Sequence, residues 1–193
     1  MNFTTRQVEI INASKELIGE KGLQTLTIKN LAKRMSFSEP ALYRHFKDKT
    51  EIIKALLLFH KEIIQNGILN ILASEKNTLE KFEEILKFKF AHIEKNPALV
   101  MVIFSETSFQ YNSILSKIVS KILKQRTKKI ITIIQSGQDE GSIRKDIDAQ
   151  QLATIALGGI RTTILSWKLS GFKTDLKSDG KKLWETLKIL FKN

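Results

Sequence analysis

Apolar side chains recur every three or four residues along almost the whole chain, and very little interrupts them. In 193 residues there are 2 prolines and 9 glycines, so few positions lack a helical N–H or carry a freed backbone. Between these breaks Leu, Ile, Lys and Glu dominate, and 42% of residues are apolar, enough for a buried core at this length. The chain is therefore expected to be all-α, with about nine helices.

The breaks set the expected boundaries. A first helix should run from about Thr5 to Glu20, with Ile10, Ala13, Leu17 and Ile18 on one stripe and Gly22 just past its end. Asp48 followed by Glu51 reads as a capping box in which Glu51 reaches back to the cap N–H. The long fourth helix that starts there carries Ile52, Ile53, Leu56, Leu57, Ile63 and Ile64 over a wide arc, so much of it must be buried. Thr78 is the expected cap of a fifth helix with Leu79, Phe82, Leu86, Phe90 and Ile93 on its stripe. Asn96 and Pro97 open a short sixth, and a seventh spans about Ser113 to Gln138. Asp148 with Gln151 starts an eighth that ends near Ser170, and a last helix covers about Asp179 to Phe191.

The segment from Thr27 to Lys49, TIKNLAKRMSFSEPALYRHFKDK, packs two short helix patterns around a tight turn. Thr27 caps the first, whose narrow apolar face is Ile28, Leu31, Ala32 and Met35. Ser38 caps the second, with Glu39 in its first turn and Pro40 where a missing N–H costs little. Ala41, Leu42 and Phe46 then face inward, and Tyr43, Arg44 and His45 lie near the outer surface. This is a helix-turn-helix pattern. Its second helix can enter a major groove with Glu39, Pro40, Ala41 and Arg44 on the open side. Lys49 falls at the next helix's start, where free N–H groups already meet phosphates. The competing reading is a plain three-helix packing module with a solvated Arg44.

The order T-I-K-N-L-A followed by S-E-P-A-L-Y-R-H-F-K-D-K resembles the DNA-binding region of TetR-family transcriptional regulators. The resemblance implies double-stranded operator DNA as partner, with Lys29, Glu39, Pro40 and Tyr43 near base edges and Thr27, Ala41, Arg44, His45 and Lys49 along the phosphates. It implies a DNA-binding domain over residues 1–48, extending into the fourth helix to about 64, and an effector-binding and dimerisation domain over 49–193. The function it implies is a homodimeric repressor of a palindromic operator, released by a small apolar or aromatic ligand. The turn departs from the family pattern: Ser36 stands where glycine is common and has to tolerate a left-handed backbone, and Phe37 follows it. Ala41 has no side-chain donor for a phosphate. Glu39 is repelled by phosphate yet suits a cytosine amino group, so it should tune base choice.

In the second half, Gly158 and Gly159 admit a close helix, and Trp184, Leu187 and Phe191 form an apolar strip, which together are expected to make a two-fold dimer interface. The alternative is that both strips pack within the monomer. His60, Phe82, Phe90, Met101, Phe104 and Trp167 are candidates for a ligand pocket, with Glu106 or Gln110 as a polar handle, although a lone histidine on an apolar face and a phenylalanine stripe at helical spacing are more often ordinary core.

The formal net charge is +12, but residues 1–50 hold nine basic and five acidic side chains and the remaining excess is spread along the chain. Charge alone thus separates DNA binding only weakly from a lysine-rich solvated surface. There are no cysteines, which removes disulfides, thiolate zinc sites and cysteine nucleophiles. His45, His60 and His92 lack metal-ligand spacing, Ser14 and Ser38 have no nearby base, and no phosphate-cradling glycine loop is present. No enzyme activity, metal or cofactor is expected. The N-terminus has no basic region leading into an apolar run, and no uncharged stretch reaches about 18 residues, so a soluble cytoplasmic protein that engages no membrane is expected. The rival from another class is a basic helical adaptor binding a protein or membrane surface without reading DNA sequence.

Overall fold

A computed structural model describes residues 3–104 and 112–192. Among these residues there are nine α-helices and no strand. In chain order they are α1 (Thr5–Lys21), α2 (Ile28–Met35), α3 (Glu39–Tyr43), α4 (Lys49–Leu72), α5 (Thr78–Glu94), α6 (Pro97–Ile103), α7 (Ser113–Asp139), α8 (Ala149–Leu169) and α9 (Leu176–Phe191), with a single 3-10 turn at Leu23–Thr25. Among the described residues no helix is long and apolar enough to cross a membrane.

The helix ends follow local chemistry, though several caps differ from expectation. Thr4 and Gln7 form a reciprocal capping box for α1, and Gly22 ends it at φ 90°. At α4, Asp48 Oδ1 accepts from the Glu51 N–H at 2.9 Å, but the Glu51 carboxylate reaches past the cap to the Lys47 N–H at 2.7 Å. The cap of α5 is Asn77, not Thr78, because Glu80 lies three residues after Asn77 and closes the reciprocal pair. Thr78 instead becomes a buried first-turn residue whose N–H donates to the Glu140 carboxylate. Asn96 precedes Pro97 without a side-chain cap bond; its Oδ1 accepts from Lys15 Nζ at 3.1 Å. Helix α9 begins at Leu176, earlier than expected, because Asp175 caps it by accepting from the Ser178 N–H at 3.0 Å.

The chain forms two compact units, residues 1–63 with 96–120 and residues 64–95 with 121–193. In the first, α1 packs on α2, on the 3-10 turn and on α6, and α2 packs on α3. Ile10, Ile11, Leu17, Ile18, Leu26, Leu31, Leu42, Phe46, Ile52 and Leu56 are buried there. Ser14 is buried on the same face of α1, its hydroxyl donating to the Ile10 carbonyl at 2.7 Å. In the second unit α9 lies against both α5 and α8. Phe82 stacks on Trp184 with ring centroids 6.0 Å apart and meets Phe191 edge-on at 5.1 Å. Gly180 allows this approach, since a Cβ there would come within 2.6 Å of the Phe90 ring.

This packing corrects the expected dimer strip. Trp184, Leu187 and Phe191 are 2%, 1% and 0% exposed in the single chain, so they have no area left for a partner. The aromatic face of α5 already covers them. Gly159 likewise makes room within the chain, a Cβ there falling 2.8 Å from Leu183 Cδ1, whereas nothing lies within 4 Å of the Cβ position at Gly158.

Candidate functional site

The helix-turn-helix is built on a small, well-tied scaffold. Arg34 of α2 makes a forked ion pair with Glu20 of α1, at 2.7 and 2.9 Å, and also reaches Glu16 at 3.1 Å. These bonds raise the Arg34 pKa and lower that of Glu20. They also commit Arg34 to the scaffold. The end of α3 is held by Gln7 Nε2, which donates to the His45 carbonyl at 3.3 Å. Leu42 and Phe46 anchor α3 in the core.

The turn between the two helices takes the backbone that its position demands. Ser36 sits at φ 55°, ψ 39°, and its N–H bonds back to α2. The Phe37 N–H donates to the Ala32 carbonyl at 2.9 Å, closing the helix end. A residue with a Cβ pays steric strain in this left-handed region, so a serine here is unusual. Phe37 is only partly buried, and the Arg6 guanidinium lies 5.0 Å over its ring, a cation–π contact that covers the aromatic face.

None of the nine expected DNA-contacting residues is buried. Thr27, Lys29, Glu39, Pro40, Tyr43 and Arg44 are exposed, and Ala41, His45 and Lys49 are partly so. Thr27 spends its hydroxyl oxygen on the cap, accepting from the Asn30 N–H at 3.0 Å. Ser38 does the same for the Ala41 N–H at 3.3 Å. Tyr43 is 51% exposed on a helix of five residues, a large ring left toward solvent beside a core that has room for Leu42 and Phe46. Lys49 donates to the Leu23 carbonyl at 3.4 Å, and partial burial pulls its pKa down.

The six pocket candidates divide between the units: His60, Met101 and Phe104 belong to the first, and Phe82, Phe90 and Trp167 to the second. His60 is buried on α4 beside the Phe59 ring. Phe82 and Phe90 pack on α9 as described, and Trp167 meets Phe172 edge-on at 4.7 Å, so all three do core work. Glu106 and Gln110 lie outside the described residues. Among the described residues no group of three His, Cys, Asp or Glu side chains is arranged to hold a metal ion.

Two polar residues that the periodicity reading passed over stand out in the second unit. Lys89 of α5 is buried, and so is Nε of Arg126 on α7. Both fall on apolar stripes: Lys89 is seven residues after Phe82, and Arg126 four before Ile130. A cation at such a spacing is the sequence signal that would have exposed them.

Comparison with known proteins accords with this geometry. Residues 10–56 match the model for bacterial regulatory proteins of the tetR family, and residues 59–189 match that for the C-terminal region of YsiA-like proteins. The chain is similar to the nucleoid occlusion factor SlmA of Aliivibrio fischeri (strain MJ11), 28% identical over 183 residues that cover 94% of this chain and 93% of that protein. It shares its fold with the fatty acid degradation regulator FadR from Bacillus halodurans, at TM-score 0.84 and 16% identity, covering 97% of this chain and 96% of that one. FadR from Bacillus subtilis, solved in complex with stearoyl-CoA, superposes at TM-score 0.81 with 22% identity, covering 95% and 98%.

Proposed function

Because the chain belongs to the TetR family of DNA-binding transcriptional regulators, we propose that it is a homodimeric repressor whose α3 reads a palindromic operator and whose C-terminal domain binds the small molecule that releases it. The observation that carries this reading is the exposed row along α3 and its C-cap, with Glu39, Pro40, Tyr43 and Arg44 all toward solvent above buried Leu42. A packing module has no use for a half-exposed tyrosine beside an exposed arginine. A major groove does.

Residues 1–48, with the start of α4, act as the reading head, and 49–193 as the effector and dimerisation domain. Lys29, Glu39, Pro40 and Tyr43 face base edges, and Thr27, Ala41, Arg44, His45 and Lys49 track the phosphates. Dimerisation uses the outward sides of α8 and α9. Ile155, Gly158, Thr162 and Leu169 share one exposed face of α8, and Ile189 is exposed on α9. These replace Trp184, Leu187 and Phe191 as the partner surface. A two-fold pairing of such faces makes a four-helix interface. Ligand binding acts by favouring a dimer whose reading heads miss half-sites spaced about 34 to 36 Å, or a multiple of that. The stearoyl-CoA in the Bacillus subtilis FadR structure supports an effector with a long apolar chain rather than an aromatic one.

Selection of bound duplexes from a random pool tests this directly. The expected product is a palindromic consensus whose recovery falls when acyl-chain compounds are added. Recovery of unrelated sequences, together with vesicle binding that survives Tyr43→Ala, would establish the adaptor reading instead.

A further inference from the structure

We propose that Lys89 and Arg126 form an anion subsite that takes the carboxylate or phosphate group of a ligand bound in the second unit. This rests on the ligand-responsive reading above. Lys89 is 7% exposed and lies among Phe82, Ile85, Leu86 and Phe90 on the buried side of α5. Lysine is almost never buried to this degree without a counter-charge, because removing an ammonium from water is costly. Among the described residues no carboxylate pairs with Lys89 or with Arg126.

No neighbouring charge among the described residues offsets that cost: the one that acts on Lys89 is the Arg126 guanidinium, another cation, and Arg126 in turn feels Arg161 on α8. The Nε of Arg126 is enclosed and makes no hydrogen bond, a planar donor edge of the kind that holds carboxylates and phosphates. Two like charges, one buried and one half-buried with its Nε enclosed, stand together when an anion arrives to share them. Burial and Arg126 lower the Lys89 pKa to about 7, so near neutrality the proton is held weakly, and an anion would hold it in place.

The test uses the full-length protein and calorimetric titration with dodecanoate, dodecyl phosphate, uncharged dodecanol and inorganic phosphate. At least one charged amphiphile is expected to bind tenfold or more tighter than dodecanol. Lys89→Met, which keeps the stem and removes the charge, and Arg126→Gln should each abolish that preference while leaving dodecanol affinity within twofold. Should one variant fail to fold, the other carries the same comparison. Inorganic phosphate that binds the wild type but not Lys89→Met would support the subsite and assign it to a free anion; phosphate that fails to bind beside tight dodecyl phosphate assigns it to a head group. Equal affinity for charged and uncharged probes, no binding of any charged probe, or a preference that survives both variants overturns the proposal. Operator release is scored separately. Dodecanol that releases operator as well as dodecanoate does would sink the subsite and keep the repressor, and preferential binding without release would do the reverse.

Discussion

Lys49 opens α4 with its ammonium on the Leu23 carbonyl and partly out of water. A phosphate near this helix start would meet both the ammonium and the free N–H groups behind it. Lys49→Ala should therefore weaken binding to every duplex and reduce the salt slope by about one unit, while Glu39→Ala should mainly relax base choice. Equal losses on selected and random DNA for both variants, measured across a salt series, would refute this division. Lys89 gives a second prediction at the same scale. Its folded pKa of about 7 lies below its ordinary 10.5, so between those values the unfolded chain binds the extra proton. Stability should then rise as pH increases from about 7, by up to about 1.4 kcal/mol per unit, with the full penalty present below it. Urea unfolding at pH 7 and pH 9 should show this gain in the wild type and its absence in Lys89→Met. Neither role is visible in charge counts, where these are two lysines among many.

The helices themselves were largely legible, because caps and period are local properties. Thr4, Gly22, Asp48 and Asp148 work over four residues or fewer, and a reader of the chain can see them. Thr78 misled because two capping residues stand side by side, and only the partner Glu80 decides between them. The turn was legible for a stronger reason: a helix-turn-helix of this length needs a left-handed residue at its centre, and Ser36 occupies it at φ 55°. Ser36→Gly should relieve that strain, offset in part by a freer unfolded chain, for a net gain of about 0.5–1 kcal/mol. Chemical denaturation reads the result, and a loss of stability would mean the serine hydroxyl contributes more than its backbone costs.

For the whole molecule the instructive element is α9, whose apolar residues do not all face one way. Trp184, Leu187 and Phe191 line the buried side, and Ile189 stands alone on the opposite side at 77% exposure, as exposed as Leu169 at the end of α8. In the proposed dimer Ile189→Glu should shift sedimentation from dimer to monomer with the fold retained, whereas Trp184→Ala should cost about 3–5 kcal/mol of stability through a lost core ring. A dimer unaffected by Ile189→Glu would place the interface elsewhere. The amino-acid sequence by itself determined the all-helical class, most of the helix boundaries and the helix-turn-helix, because each depends on residues within a few positions of one another. Which side of α9 faces inward, and that Lys89 is buried within reach of the Arg126 charge, only the tertiary structure decided. Both depend on what a distant helix brings: the Phe82 ring takes up the tryptophan side of α9, and the charge that acts on Lys89 is a second cation, not a carboxylate.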